Sequence, residues 1–223
     1  MKTCKLSEGP VGGRVLPIAG AAVLAAALTV SPLQAAHADT VTPPPVPTNI
    51  EVPPGNIAFL LGHGVGTQNY VCLPSGSGFA WSLFTPEATL FSDQLRQLTT
   101  HFFGPNPFEK GTVRAVWQHS VDTSTVWGQA IAQSTDPNFV TPGAIPWLLV
   151  RVVGAKNGPG GDAGPRRGVL TATTFIQRLN TVGGSAPTTD CSLATDVGKK
   201  AFVPYTADYF FYSPLTDDTH TTN

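Results

Sequence analysis

From Ile57 to Tyr212 the apolar residues of this chain come in short runs, many alternating with polar residues at a period of two. A strand points successive side chains to opposite faces, whereas an amphipathic helix needs a stripe that recurs every 3.6 residues. Almost no stretch of the chain carries such a stripe. Phe79, Trp81 and Leu83 share one face of Gly78–Phe84, and Val113, Ala115 and Trp117 alternate with Arg114, Val116 and Gln118. Thr125–Ala132 is a further strand. Ile145–Val153 is apolar on both faces apart from Arg151, as befits a strand covered on each side. Val169–Asn180 and Phe202–Tyr212 complete the set, and only Ser92–Leu98 looks helical. Roughly ten short strands, separated by glycine and proline turns, predict an all-β domain with almost no helix. A β-sandwich or a partly closed β-barrel is the expected arrangement.

The turns are equally explicit. Gly104-Pro105-Asn106-Pro107 and Gly183-Gly184 end strands, and Gly154–Gly168 is a long glycine-rich loop. Gly62-His63-Gly64-Val65-Gly66 follows the apolar run Ile57–Leu61 and reads as a hairpin turn into Thr67–Cys72. A dinucleotide-binding loop would need its third glycine one place later, where Thr67 stands, and then a helix. The nucleotide reading therefore fails, and no cofactor is expected.

The amino terminus reads as an export signal. Lys2, Lys5 and Arg14 precede the apolar Val15–Val30, and Ala36-His37-Ala38 is an A-x-A cleavage site. Pro17 and Gly20 interrupt an apolar run already shorter than the roughly 20 residues that span a bilayer. The expected organisation is a signal over 1–38, a proline-rich arm over 39–54, an all-β domain over 55–213 and a polar tail over 214–223. Localisation is then secreted, in the extracellular or the periplasmic and cell-wall space. Lys2, Lys5, Arg14 and Glu8 leave with the signal, taking the formal charge from −1 to −3. A mildly acidic chain without a basic run argues against nucleic acid and against an anionic membrane surface as partners. Cys4 also leaves, and the remaining pair, Cys72 and Cys191, predicts one disulfide in an oxidising compartment.

Six ordered motifs carry a resemblance. They are G-x-G-x-Q-x-Y-x-C at Gly64–Cys72, P-E-A-T-L-F at Pro86–Phe91, H-F-x-G-P at His101–Pro105, and I-P-W-L-L at Ile145–Leu149. I-Q-R-L-N-T-x-G-G-x-A-P at Ile176–Pro187 and V-P-Y-T-A-D-Y-x-F-Y at Val203–Tyr212 follow. In these the chain resembles an exported bacterial and fungal family, domain of unknown function 3455, over Ile57–Tyr212. The resemblance implies an exported β-rich domain and brings no reaction with it. The malate dehydrogenase label that some fungal members carry is rejected, because the fingerprint and any βαβ alternation are missing.

Chemistry is sparse. Ser75 and Ser77 do not stand in a G-x-S-x-G elbow, and Glu51, Glu87 and Glu109 form no carboxylate pair at strand spacing. His63, His101, His119 and His220 make no H-x-H or H-x-x-x-H unit, so no metal site is expected. Arg151 and Arg178 stand among apolar neighbours, and a buried guanidinium must be paired, with Asp208 and Asp93 as candidate partners. The candidate ligand cluster is His101 with Gln68, Tyr70, Gln177 and Arg178, polar groups set in otherwise apolar strands. There His101 would serve as acid or base, and the ligand would be polar or carbohydrate-like. Two functions stay open: an extracellular module that binds a ligand or a wall component, and a hydrolase or metal-dependent enzyme whose site is assembled from separate strands.

Overall fold

The computed structural model describes residues 41–158 and 168–215. The expected signal, the centre of the glycine-rich loop and most of the polar tail lie outside the described residues. Eight antiparallel strands carry the fold: β1 (Asn56–Ser75), β2 (Gly78–Phe91), β3 (Gln97–Asn106), β4 (Thr112–His119), β5 (Thr125–Ser134), β6 (Trp147–Lys156), β7 (Phe175–Gly183) and β8 (Lys200–Pro214). Each pairs with the next, and β8 returns to pair with β1, so the sheet closes into an up-and-down barrel.

The strands are fewer and longer than the turn signals suggest. Gly62–Gly66 is no hairpin turn but the middle of the 20-residue β1. Its glycines recur at period two, and all three face the barrel interior. A Cβ on Gly64 would lie 2.7 Å from the Tyr209 ring, and one on Gly66 would lie 2.0 Å from the Glu87 carbonyl oxygen. These glycines are cut-outs that admit the neighbouring strands, not punctuation. We expect Gly66→Ala to cost at least about 3 kcal/mol, because its methyl meets backbone that cannot rotate away. Urea unfolding of the variant checks this, and a loss under about 1 kcal/mol would contradict it.

Two other turns move. Ser92–Leu98 is not helical; Ser92 N–H donates to Arg96 O and closes a tight β2–β3 turn with Leu95 at φ 59°. β3 runs through Gly104 and Pro105 to Asn106, and its turn follows at Pro107–Glu109.

Alternation divides the core in two. Inside the barrel, Val126, Leu170, Ile176 and Phe211 pack together at the end that holds the β6–β7 connection. Leu170, fully buried, plugs that end, and its N–H donates to Ser124 Oγ at 3.1 Å. Outside the barrel, Trp147, Leu149, Leu179, Phe210 and Tyr212 form a second apolar layer across β6, β7 and β8. The proline-rich arm covers this layer: Val41, Val46 and Val52 pack on it, and Ile50 is fully buried there. The arm is extended apart from a 3-10 turn at Thr48–Ile50 and is thus an integral part of the fold. It also explains why β6 is apolar on both faces.

Candidate functional site

The barrel end opposite Leu170 is not filled. A cavity of about 560 Å³ lies there, lined by the far halves of the strands. Leu83, Phe103, Ile145, Leu148 and Val150 give it apolar walls, while Gln68, Tyr70, His101, Arg178 and Tyr209 converge on it. Gln68 and Tyr70 sit on the inner face of β1, in line with the glycines. Arg178 of β7 stands directly between Leu148 of β6 and Tyr209 of β8 in the pairing register. His101 of β3 pairs with Ala88 of β2 and Trp117 of β4.

Four of the five predicted site residues therefore meet, and Gln177 does not. Adjacent strand residues face opposite ways, so with Arg178 inside, Gln177 must point outward. There its Nε2 donates to Ile50 O at 2.7 Å, and its Oε1 accepts from the Tyr212 hydroxyl. Gln177 anchors the arm rather than a ligand.

His101 also departs from its expected role. Its ring stacks on Trp117 with centroids 4.3 Å apart, and Nδ1–H donates to Val116 O at 2.9 Å. Burial pushes its pKa down to about 3; the Val116 bond opposes this, and the Arg178 charge adds to it. A histidine held neutral so far below neutral pH is a poor acid or base there. It serves as a flat, uncharged wall.

Beside Arg114, which is paired at the rim, Arg178 is the second cation that lines the cavity. Its Nη2 donates to Pro146 O at 2.8 Å, and it makes no ion pair among the described residues. Burial pushes the Tyr70 and Tyr209 phenols up, and the Arg178 charge pulls both the other way. Tyr70 donates to Gly184 O at 2.7 Å, and the Tyr205 and Tyr209 hydroxyls lie 2.9 Å apart.

The carboxylates proposed as arginine partners are elsewhere. Asp208 precedes Tyr209, so it faces outward and bonds His63 Nδ1 at 2.7 Å, while Asp93 bonds His63 Nε2 at 2.8 Å. The Asp93 bond is the main cause that raises the His63 pKa, against desolvation. Arg151, next to inward Val150, is exposed. Sequence reasoning overlooked Arg114, held at the rim by a bidentate pair with Glu109 at 2.8 and 2.9 Å. Tyr209 lies unremarked within the Phe202–Tyr212 strand; its parity with Tyr205, Ala207 and Phe211 is the signal that places it inside.

The disulfide shapes the rim. Cys72 and Cys191 are bonded, with Cα atoms 5.5 Å apart. The bond pins the β7–β8 connection to the β1–β2 hairpin, where Trp81 Nε1 also donates to Thr189 O at 2.9 Å. Cys72 lies two residues beyond Tyr70, so the cross-link braces the wall that carries Tyr70 and Gln68.

No curated protein and no solved structure matches the chain. A family model does match, over residues 53–213, from the end of the arm to the end of β8, so the chain belongs to the family described as protein of unknown function DUF3455.

Proposed function

We propose that the protein is an exported binding module that holds a small molecule inside its barrel. The observation that carries this reading is the cavity itself: about 560 Å³ of space in a barrel whose other end is packed solid. Ligand sites are typically apolar concavities of about 300–1,000 Å³ with a few convergent polar groups. An eight-stranded barrel is just wide enough to be filled by side chains or to hold one small ligand. Here it does the first at one end and the second at the other. The apolar interior is the reverse of a transmembrane barrel, which is polar within. Export rests on the amino-terminal signal pattern and on the disulfide, which suits an oxidising compartment.

The hydrolase or metal-enzyme reading finds less support. No carboxylate lines the cavity, and its histidine is held neutral. Among the described residues no cluster of three His, Cys, Asp or Glu side chains is placed to hold a metal ion.

Ala115 lines the cavity, half-buried on β4. An environment-sensitive apolar dye should brighten and blue-shift with the wild-type protein, and Ala115→Trp, which fills the space, should reduce its affinity at least tenfold. Equal dye binding by the folded variant and the wild type would place the dye outside the barrel and overturn the reading.

A further inference from the structure

Three residues that line the cavity carry a buried N–H donor without a well-aligned acceptor, Gln68 Nε2, Trp117 Nε1 and Arg178 Nε, although Gln68 also interacts with the Tyr205 hydroxyl and Arg178 with the Tyr209 hydroxyl. Gln68 and Trp117 are 2% and 1% exposed, so bulk water does not routinely serve them. Buried donors in folded proteins are nearly always paired, and an orphaned one marks a missing water, ion or ligand. Asn69, Thr99 and Trp147 carry such atoms elsewhere among the described residues, but the three donors on this one cavity, beside the Arg178 charge, describe an occupant that brings acceptors. The charge agrees: Arg178 faces the same space, and no aspartate or glutamate lines it. A half-buried guanidinium without a counter-charge is an unfavourable arrangement that an anion corrects.

From these observations we infer that the cavity binds an amphiphilic carboxylate, its head on Arg178 and its apolar body against Leu148, Val150 and Phe103. This rests on the binding reading above and specifies its ligand. A carboxylate offers about four acceptor sites, enough for the fork of Arg178 and for a neighbouring donor such as Gln68. The Tyr209 hydroxyl, 2.9 Å from that of Tyr205, belongs to the residue directly across the register in the same wall. The neutral Trp117–His101 stack supplies a flat apolar surface beside it and leaves Arg178 the dominant charge. Sugars fit less well, since a neutral polyol leaves the guanidinium uncompensated.

The test uses three probes of equal length, decanoate, decanol and decylammonium, with naphthoate to separate aliphatic from aromatic bodies. Calorimetry on the disulfide-bonded protein at pH 7 reads their affinities. Decanoate or naphthoate should bind about tenfold to a hundredfold more tightly than decanol, as a charge-assisted hydrogen bond warrants, and decylammonium should bind worst. In Arg178→Leu the preference for carboxylate over alcohol should fall to about one, and Arg178→Lys should restore only part of it, having lost the fork. Decanol bound as tightly as either acid, or a preference that survives Arg178→Leu, would overturn the inference while leaving the cavity a binding site. If no probe binds, the binding reading falls and this inference with it.

Discussion

Replacing Cys72 and Cys191 together by serine will lower the melting temperature by roughly 10–20 °C. The bond closes a loop of 119 residues, and chain-entropy arguments value a loop of that length at about 4–5 kcal/mol. Against a total stability of typically about 5–15 kcal/mol, this is a large share. The damage should also be directional. The β7–β8 connection is otherwise held to β1 by two backbone bonds, Cys72 N–H to Lys199 O and Gly198 N–H to Cys72 O, both 2.9 Å, and by the Tyr70 hydroxyl on Gly184 O. Hydrogen exchange should therefore rise first in residues 184–199 and in the β1–β2 hairpin, while β6 stays protected under the arm. A shift below about 3 °C, or protection lost uniformly, would show that the cross-link braces nothing in particular.

Acid is the second lever, and His101 sets it. The folded chain keeps this imidazole neutral down to about pH 3, whereas the unfolded chain protonates it near its ordinary value of 6.5. The unfolded state thus binds a proton that the folded state refuses, and stability falls as the pH drops through that window. One proton is worth about 1.4 kcal/mol per pH unit, so the full window amounts to about 4–5 kcal/mol. Arg178 and Tyr209 are the ionisable groups that face the ring, and burial raises the Tyr209 phenol further from this window. His63 works the other way: its pKa is raised, so its contribution is present at low pH and is lost as the pH rises. It is solvated and weaker. Glu109, Asp122 and Asp196 sit at about 2 and add their own acid sensitivity only below the ordinary carboxylate range. Urea unfolding between pH 6.5 and 5 should show a loss of about 2 kcal/mol in wild type. His101→Gln should be nearly flat, and His63→Gln slightly steeper than wild type. An unchanged slope in His101→Gln would move the acid lability elsewhere.

Much of this architecture is legible before any coordinates. The alternation of Val113, Ala115 and Trp117, and the double-sided apolarity of Ile145–Val153, state a closed or layered sheet. What misleads is glycine. The same residue marks a turn at Gly76, between β1 and β2, and a close approach between strands at Gly64, Gly66 and the Gly183-Gly184 pair that reads as a turn, and local pattern does not separate these uses. The distinction depends on a ring from β8, about 145 residues away in the chain, needing that space. Four cluster members converge because their parities agree with closure, and Gln177 fails on parity alone, which was decidable on paper. The pairing of Asp93 and Asp208 with His63 rather than an arginine was not, since it depends on which residues of β1, β2 and β8 meet across the barrel seam.

That seam has a temporal meaning. β1 shares its outer edge with β8 over nearly its whole length, from Asn56 opposite Pro214 to Val71 opposite Lys200. During synthesis the first strand therefore waits for the last, and its open edge is a template for unwanted pairing until residues 200–214 arrive. Loss of those residues opens the whole sheet rather than fraying one end of it.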